Sequence, residues 1–65
     1  MEVKNKLKSM RHAHEMDQKQ FAEKLGLRQE QYNRYERQAR QPTLKIALEI
    51  SAKLNMTVND LFYLE

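Results

Sequence analysis

Residues 28–37 read Arg-Gln-Glu-Gln-Tyr-Asn-Arg-Tyr-Glu-Arg. On a helix, residues three and four apart share a face. Gln29 and Asn33 are four apart, as are Glu30 and Arg34, and Asn33 and Arg37. Arg28 and Gln31 flank this row, and Tyr32 and Tyr35 fall on the opposite side. A carboxamide carries a donor and an acceptor in one plane and matches adenine. A guanidinium fork matches guanine, and a carboxylate accepts from the amino group of cytosine. The chemistry open to this row is hydrogen-bonded reading of base edges. Glu30 repels a polyphosphate, so it either selects bases or pairs with Arg34 on the helix surface.

Such a row needs a mount. Asp17 can cap a helix whose buried stripe is Phe21, Ala22 and Leu25. Gly26, the one glycine of the chain, stands where a left-handed residue stops that helix. The next helix runs from about Gln29 to Glu36 or Arg37 and packs through Leu27, Tyr32 and Tyr35. Residues 17–37 thus form a helix, a tight turn and a second helix with a polar, basic outer face, a unit that can reach into DNA.

The remaining sequence supports this unit. Val3, Leu7, Met10 and His14 share one face, which predicts a first helix from Val3 to His14. Thr43, after Pro42, can cap a fourth helix buried through Leu44, Ala47, Leu48, Ile50, Ser51 and Leu54. Thr57-Val58-Asn59-Asp60 resembles a capping box, with Asp in place of Glu or Gln. It opens a fifth helix carrying Val58, Leu61, Phe62 and Leu64. The expectation is an all-α, five-helix single domain over residues 1–65. The run Leu61-Phe62-Tyr63-Leu64 is too apolar for one face of that last helix, which predicts a dimer contact there.

Composition narrows the function classes. The 65 residues include no cysteine, so neither a disulfide nor a thiolate metal site is available. His12 and His14 do not share a helix face, and no metal or cofactor is expected. No pairing of carboxylates suggests an active site, so an enzyme is not expected. No apolar run is long enough to span a membrane, and no signal peptide is evident. The expected setting is therefore cytoplasmic. The Asn55-Met56-Thr57 sequon then has no role. The net charge is +3, and it is unevenly spread. Residues 28–45 hold five cations and two anions, whereas residues 46–65 hold one cation and three anions. A polyanion on one face and a different partner on the other would suit this pattern.

From Leu7 to Phe62 the chain resembles the Cro and lambda-repressor type of helix-turn-helix proteins, the xenobiotic-response-element family. Arg11 matches the family's arginine near the end of helix 1. Gln18, Phe21, Ala22 and Gly26 match helix 2 and its turn. Glu36 closes helix 3, Pro42 and Thr43 end the following loop, and Leu61-Phe62 match a pair in helix 5. The resemblance implies base reading by Gln29, Glu30, Asn33 and Arg34. It implies backbone contacts from Gln18, Arg28, Arg37 and Arg40, with Gln18 also bracing a recognition side chain. Arg11 and Glu36 match a pair joining helix 1 to the end of helix 3. The sequence departs from the family's glycines at Glu15 and Gln38, and from its usual cap at Arg28.

The expected function is a sequence-specific regulator of transcription, of repressor type, binding double-stranded DNA with a near-palindromic operator as a homodimer through Leu61, Phe62, Tyr63 and Leu64. With no effector pocket in view, the expected signal is an antagonist protein, proteolysis or concentration. The alternative is a protein-interaction module that binds a partner, antitoxin-like, through the same apolar patch.

Overall fold

Side-chain caps set three of the five helix starts in the computed structural model, which describes residues 1–65. Helix α1 spans Leu7–Ala13, α2 Gln18–Lys24, α3 Gln29–Glu36, α4 Leu44–Lys53 and α5 Val58–Leu61. Asp17 accepts from the Gln20 backbone N–H at 2.8 Å, and the Gln20 side chain accepts from the Asp17 N–H at 2.9 Å. Thr57 and Asp60 form the same reciprocal box at 3.2 and 2.8 Å, so the shorter aspartate suffices. Hydrogen bonds from Thr57 hold the exposed Asp60 carboxyl below its usual range. Thr43 accepts from the Ile46 N–H at 3.3 Å. Arg28 offers α3 no side-chain cap, as its residue type dictates.

The helix ends share one device. After α1, α2, α3 and α4 a backbone N–H reaches the carbonyl five residues earlier: Met16 to Arg11, Leu27 to Ala22, Ala39 to Arg34 and Met56 to Ser51. This closure requires a left-handed residue just before the donor. Gly26 supplies it with φ of 72°, while Glu15, Gln38 and Asn55 adopt φ of 55°, 63° and 56°. An L-residue in this region is strained by roughly 1–2 kcal/mol. Glu15 is exposed and hydrogen-bonds through its backbone only. Glu15→Gly should therefore raise the thermal midpoint by a few degrees. Gln38→Gly should lower it, because the Gln38 side chain is engaged in the bonds described below. Melting by circular dichroism distinguishes the two signs.

The all-α expectation needs correction. Val3–Asn5 form strand β1 and Phe62–Leu64 form strand β2, paired antiparallel with Val3 opposite Leu64 and Asn5 opposite Phe62. Helix 1 begins at Leu7 rather than Val3 because Asn5 intervenes. Its side-chain oxygen accepts from the Leu7 N–H at 3.1 Å, a local bond that competes with helix. Its amide nitrogen donates to the Tyr35 carbonyl at 2.8 Å and to Gln41 at 2.9 Å. On the other side of Asn5, the Gln38 carboxamide accepts from the Asn5 N–H at 3.1 Å and donates to its carbonyl at 2.9 Å. Gln38 thus pairs with β1 much as a third strand's peptide group would. Likewise, α5 stops at Leu61, and the apolar run beyond it is extended.

The core lies between the helices and comprises Leu7, Phe21, Ala22, Leu25, Tyr32, Tyr35, Ile50, Leu54 and Leu61. Phe21 and Tyr32 meet edge to face with centroids 5.5 Å apart, a favourable aromatic geometry. Met10, Met16 and Met56 fill gaps around it. Two expectations of burial fail. Leu44 and Leu48 are 71% and 53% exposed, since the inward stripe of α4 follows Ala47, Ile50, Ser51 and Leu54. Conversely, Leu61 is wholly buried in the protomer's own core and is not available as a dimer contact.

Candidate nucleic-acid interface

Helix α3 turns Tyr32, Tyr35 and Glu36 inward. The remaining positions therefore face out. Gln29, Glu30, Arg34 and Arg37 are exposed, and Asn33 is half-buried against α2. With Gln18 at the start of α2, they line an open depression of about 450 Å³ that has no hydrophobic lining residue. A second depression, of about 310 Å³, adjoins it. Arg28, Arg34 and Arg40 bring three guanidinium groups to its wall, beside Thr43 at the start of α4. Glu30 and Arg34 border both depressions.

Within the protein, the side chains of Gln29, Glu30, Arg34 and Arg37 make no hydrogen bond, and Arg11–Glu36 is the one ion pair. Glu30 is therefore not neutralised by Arg34 in the free protein. Their donors and acceptors are directed to solvent, which is what direct readout of an edge requires. Gln31, in contrast, donates to the Tyr35 hydroxyl at 3.0 Å. That bond satisfies the hydroxyl of a nearly buried ring and gives Gln31 a structural role.

Behind the exposed row lies the pair that the sequence resemblance implied. The Arg11 Nε and Nη2 groups donate to Glu36 at 2.7 to 3.2 Å, and Nη1 donates to the Met16 carbonyl at 3.2 Å. The Glu36 side chain is 4% exposed. Burial alone would push its carboxyl up. The hydrogen bonds and charge of Arg11, acting together with Tyr32 and the charge of Lys8, outweigh this and hold it below the usual carboxylate range. The same hydrogen bond to Glu36 raises the pKa of Arg11. Burial pushes the Tyr32 hydroxyl up, so it stays protonated and donates to the Leu7 carbonyl at 3.4 Å.

Gln18 connects this pair to the surface. Its amide nitrogen lies 3.5 Å from Glu36 Oε2, a long bond, and its oxygen accepts from Asn33 Nδ2 at 3.0 Å. The structure therefore brings Gln18, Gln29, Glu30, Asn33, Arg34 and Arg37 to one surface. It puts Arg28 and Arg40 at the adjoining cleft and places Arg11 and Glu36 beneath. Sequence reasoning missed the parts of Asn5, Gln38 and Gln41, which hold the loop after α3 against β1. It also missed Lys53, whose ammonium donates to the Leu25 carbonyl at 2.8 Å and closes the end of α2. No residue pattern announces either.

The apolar surface lies elsewhere. Val3, Leu44, Tyr63 and Leu64 are exposed by 40% or more, and with Pro42, Val58 and Phe62 they line a groove of about 260 Å³. Lys6 sits over the Tyr63 ring, 5.8 Å from its centroid. No helix is long and apolar enough to cross a membrane.

A family model described as helix-turn-helix matches residues 7–61. An uncharacterized HTH-type transcriptional regulator of Methanocaldococcus jannaschii is 33% identical over 63 residues, covering 97% of this chain and 96% of the relative.

Proposed function

The chain belongs to the helix-turn-helix family of DNA-binding transcription regulators, and from that membership we propose that it recognises a specific operator as a homodimer and represses transcription there. Helix α3 enters the major groove. Gln29, Glu30, Asn33 and Arg34 meet base edges. Gln18, Arg28, Arg37 and Arg40 hold phosphates. The observation that carries this reading is the exposed row of Gln29, Glu30, Arg34 and Arg37 on α3, whose side-chain hydrogen-bonding groups have no partners within the protein. DNA binding, not catalysis, is the activity that the family and this open polar surface support.

The dimer proposal rests on the apolar groove between β2 and α4. Leu61 is part of the core, so the contact reduces to Phe62, Tyr63 and Leu64, extended by Val3 and Leu44. A twofold dimer would set two recognition helices roughly 34 Å apart and call for a near-palindromic site. An antagonist protein competing for the same groove would be the simplest inducing signal. The cytoplasm is the compartment that this reading requires.

Gel shifts on the DNA upstream of the protein's own gene, repeated over a range of salt, test the reading. Affinity should fall steeply with salt, because phosphate contacts release counterions. Arg34→Ala should lower specific affinity by about tenfold or more and non-specific affinity much less. Equal losses in both would make Arg34 a phosphate contact. Absence of any shift at low salt by the wild type would end the DNA reading. The groove would then stand as the protein's binding surface for a partner protein.

A further inference from the structure

We propose that Gln18, Glu36 and Arg11 are positioning residues that fix which way the Asn33 amide faces, and so which base Asn33 accepts. This rests on α3 reading DNA as described above.

The argument starts at the buried end. An ionised carboxylate is an acceptor only. Glu36 is ion-paired with Arg11 and nearly enclosed, so any amide approaching it must present N–H. Gln18 approaches it, and its NH₂ faces Glu36 Oε2. The opposite end of the same planar group, the carbonyl oxygen, then faces Asn33. An oxygen at that point accepts only, so Asn33 must turn its own NH₂ inward, as it does at 3.0 Å. Each amide in the series has one permitted orientation because the first member cannot donate.

What remains for DNA is the Asn33 oxygen and one N–H. That pair matches adenine, whose N6 amino group donates and whose N7 accepts. Guanine presents two acceptors at the same edge, O6 and N7, and one of them would oppose the Asn33 oxygen. An asparagine without the brace can turn over and offer its NH₂ instead. The discrimination against guanine therefore comes from beneath the surface, through side chains that need not touch a base.

The experiment is selection of bound sequences from a random DNA pool, run at matched occupancy for four proteins. Asn33→Ala identifies the operator position read by Asn33, as the one where preference is lost. Wild type should prefer adenine over guanine there by about tenfold or more. Gln18→Met keeps length and the Arg11–Glu36 pair but removes the brace. Glu36→Gln keeps a hydrogen-bonding group but restores a donor. In both variants the preference at the Asn33 position should relax severalfold, while preferences set by Gln29 and Arg34 persist. If Glu36→Gln does not fold, Gln18→Met decides alone. An unchanged preference in Gln18→Met overturns the proposal. So does a wild-type preference for guanine, or an Asn33→Ala profile identical to wild type. A wild type that enriches no sequence instead overturns the DNA reading itself.

Discussion

Glu36→Ala should cost the fold roughly 3–5 kcal/mol, much of the stability that a domain of this size has. The substitution strips Arg11 of its partner while the guanidinium remains mostly enclosed, with 15% side-chain exposure. Removing one member of a buried ion pair costs roughly 3–5 kcal/mol, because the other charge stays desolvated. A domain of this size has a total stability of about 3–10 kcal/mol, so that loss removes much or all of it. Urea denaturation followed by circular dichroism measures it directly. A loss below about 1 kcal/mol would mean that Arg11 finds water or another acceptor on release.

The same pair sets the acid limit of the fold. Glu36 has a folded-state pKa below its ordinary value of 4.5. The native state therefore favours the ionised form. Its stabilisation is fully present above the ordinary carboxylate range and is lost as pH falls through the folded value. Wild-type stability should be flat with respect to this group from pH 7 to about 5.5 and should decline below about 4.5. A Glu36→Gln variant, if folded, should show a shallower acid decline. Asp60 contributes a residual slope of the same sign.

Leu64→Asp should have the largest effect on operator binding. Leu64 is 63% exposed, so the protomer loses little by the change, but a carboxylate would stand in the proposed dimer contact. A dimer binds its two half-sites with the second event made intramolecular, an advantage of the order of 10²–10⁴ in affinity. Leu64→Asp should forfeit most of it and sediment as a folded monomer, its thermal midpoint lowered only by the lost linkage to dimerisation. Leu61→Asp offers a contrast: it should unfold the protomer, because Leu61 is wholly buried. A Leu64→Asp protein that keeps both its mass and its affinity would remove the groove from the assembly.

The parts legible in the sequence were those governed by local rules. Asp17, Gly26, Thr43 and Thr57 announce helix boundaries through side-chain bonds or φ within a few residues. Tyr32 and Tyr35 show by spacing which face of α3 turns inward. The strands were not legible, because neither Val3–Asn5 nor Phe62–Leu64 stands alone as a strand signal. Each becomes one only when a partner some 60 positions away lies beside it. For the same reason, the run at 61–64 looked like one surface. Leu61 closes α5 and points into the core, whereas the residues after it are extended and alternate. Within the site, Gln18 and Asn33 were each visible as polar residues. Their bond depends on how α2 crosses α3, which no spacing within one helix encodes.

The pairing of β1 with β2 also bears on the order in which the molecule forms. Helices α2 and α3 are joined by four residues, so their contact closes a short loop. The strand pair instead closes nearly the whole chain, from Asn5 to Phe62, at an entropic cost on the order of 3–4 kcal/mol. Such a contact is expected late in folding. A chain that has docked α2 on α3 but has not yet paired β1 with β2 lacks the groove that would receive a second subunit. The surface proposed to read DNA and the surface proposed to dimerise would then be completed in sequence, the second only when Asn5 and Phe62 have met.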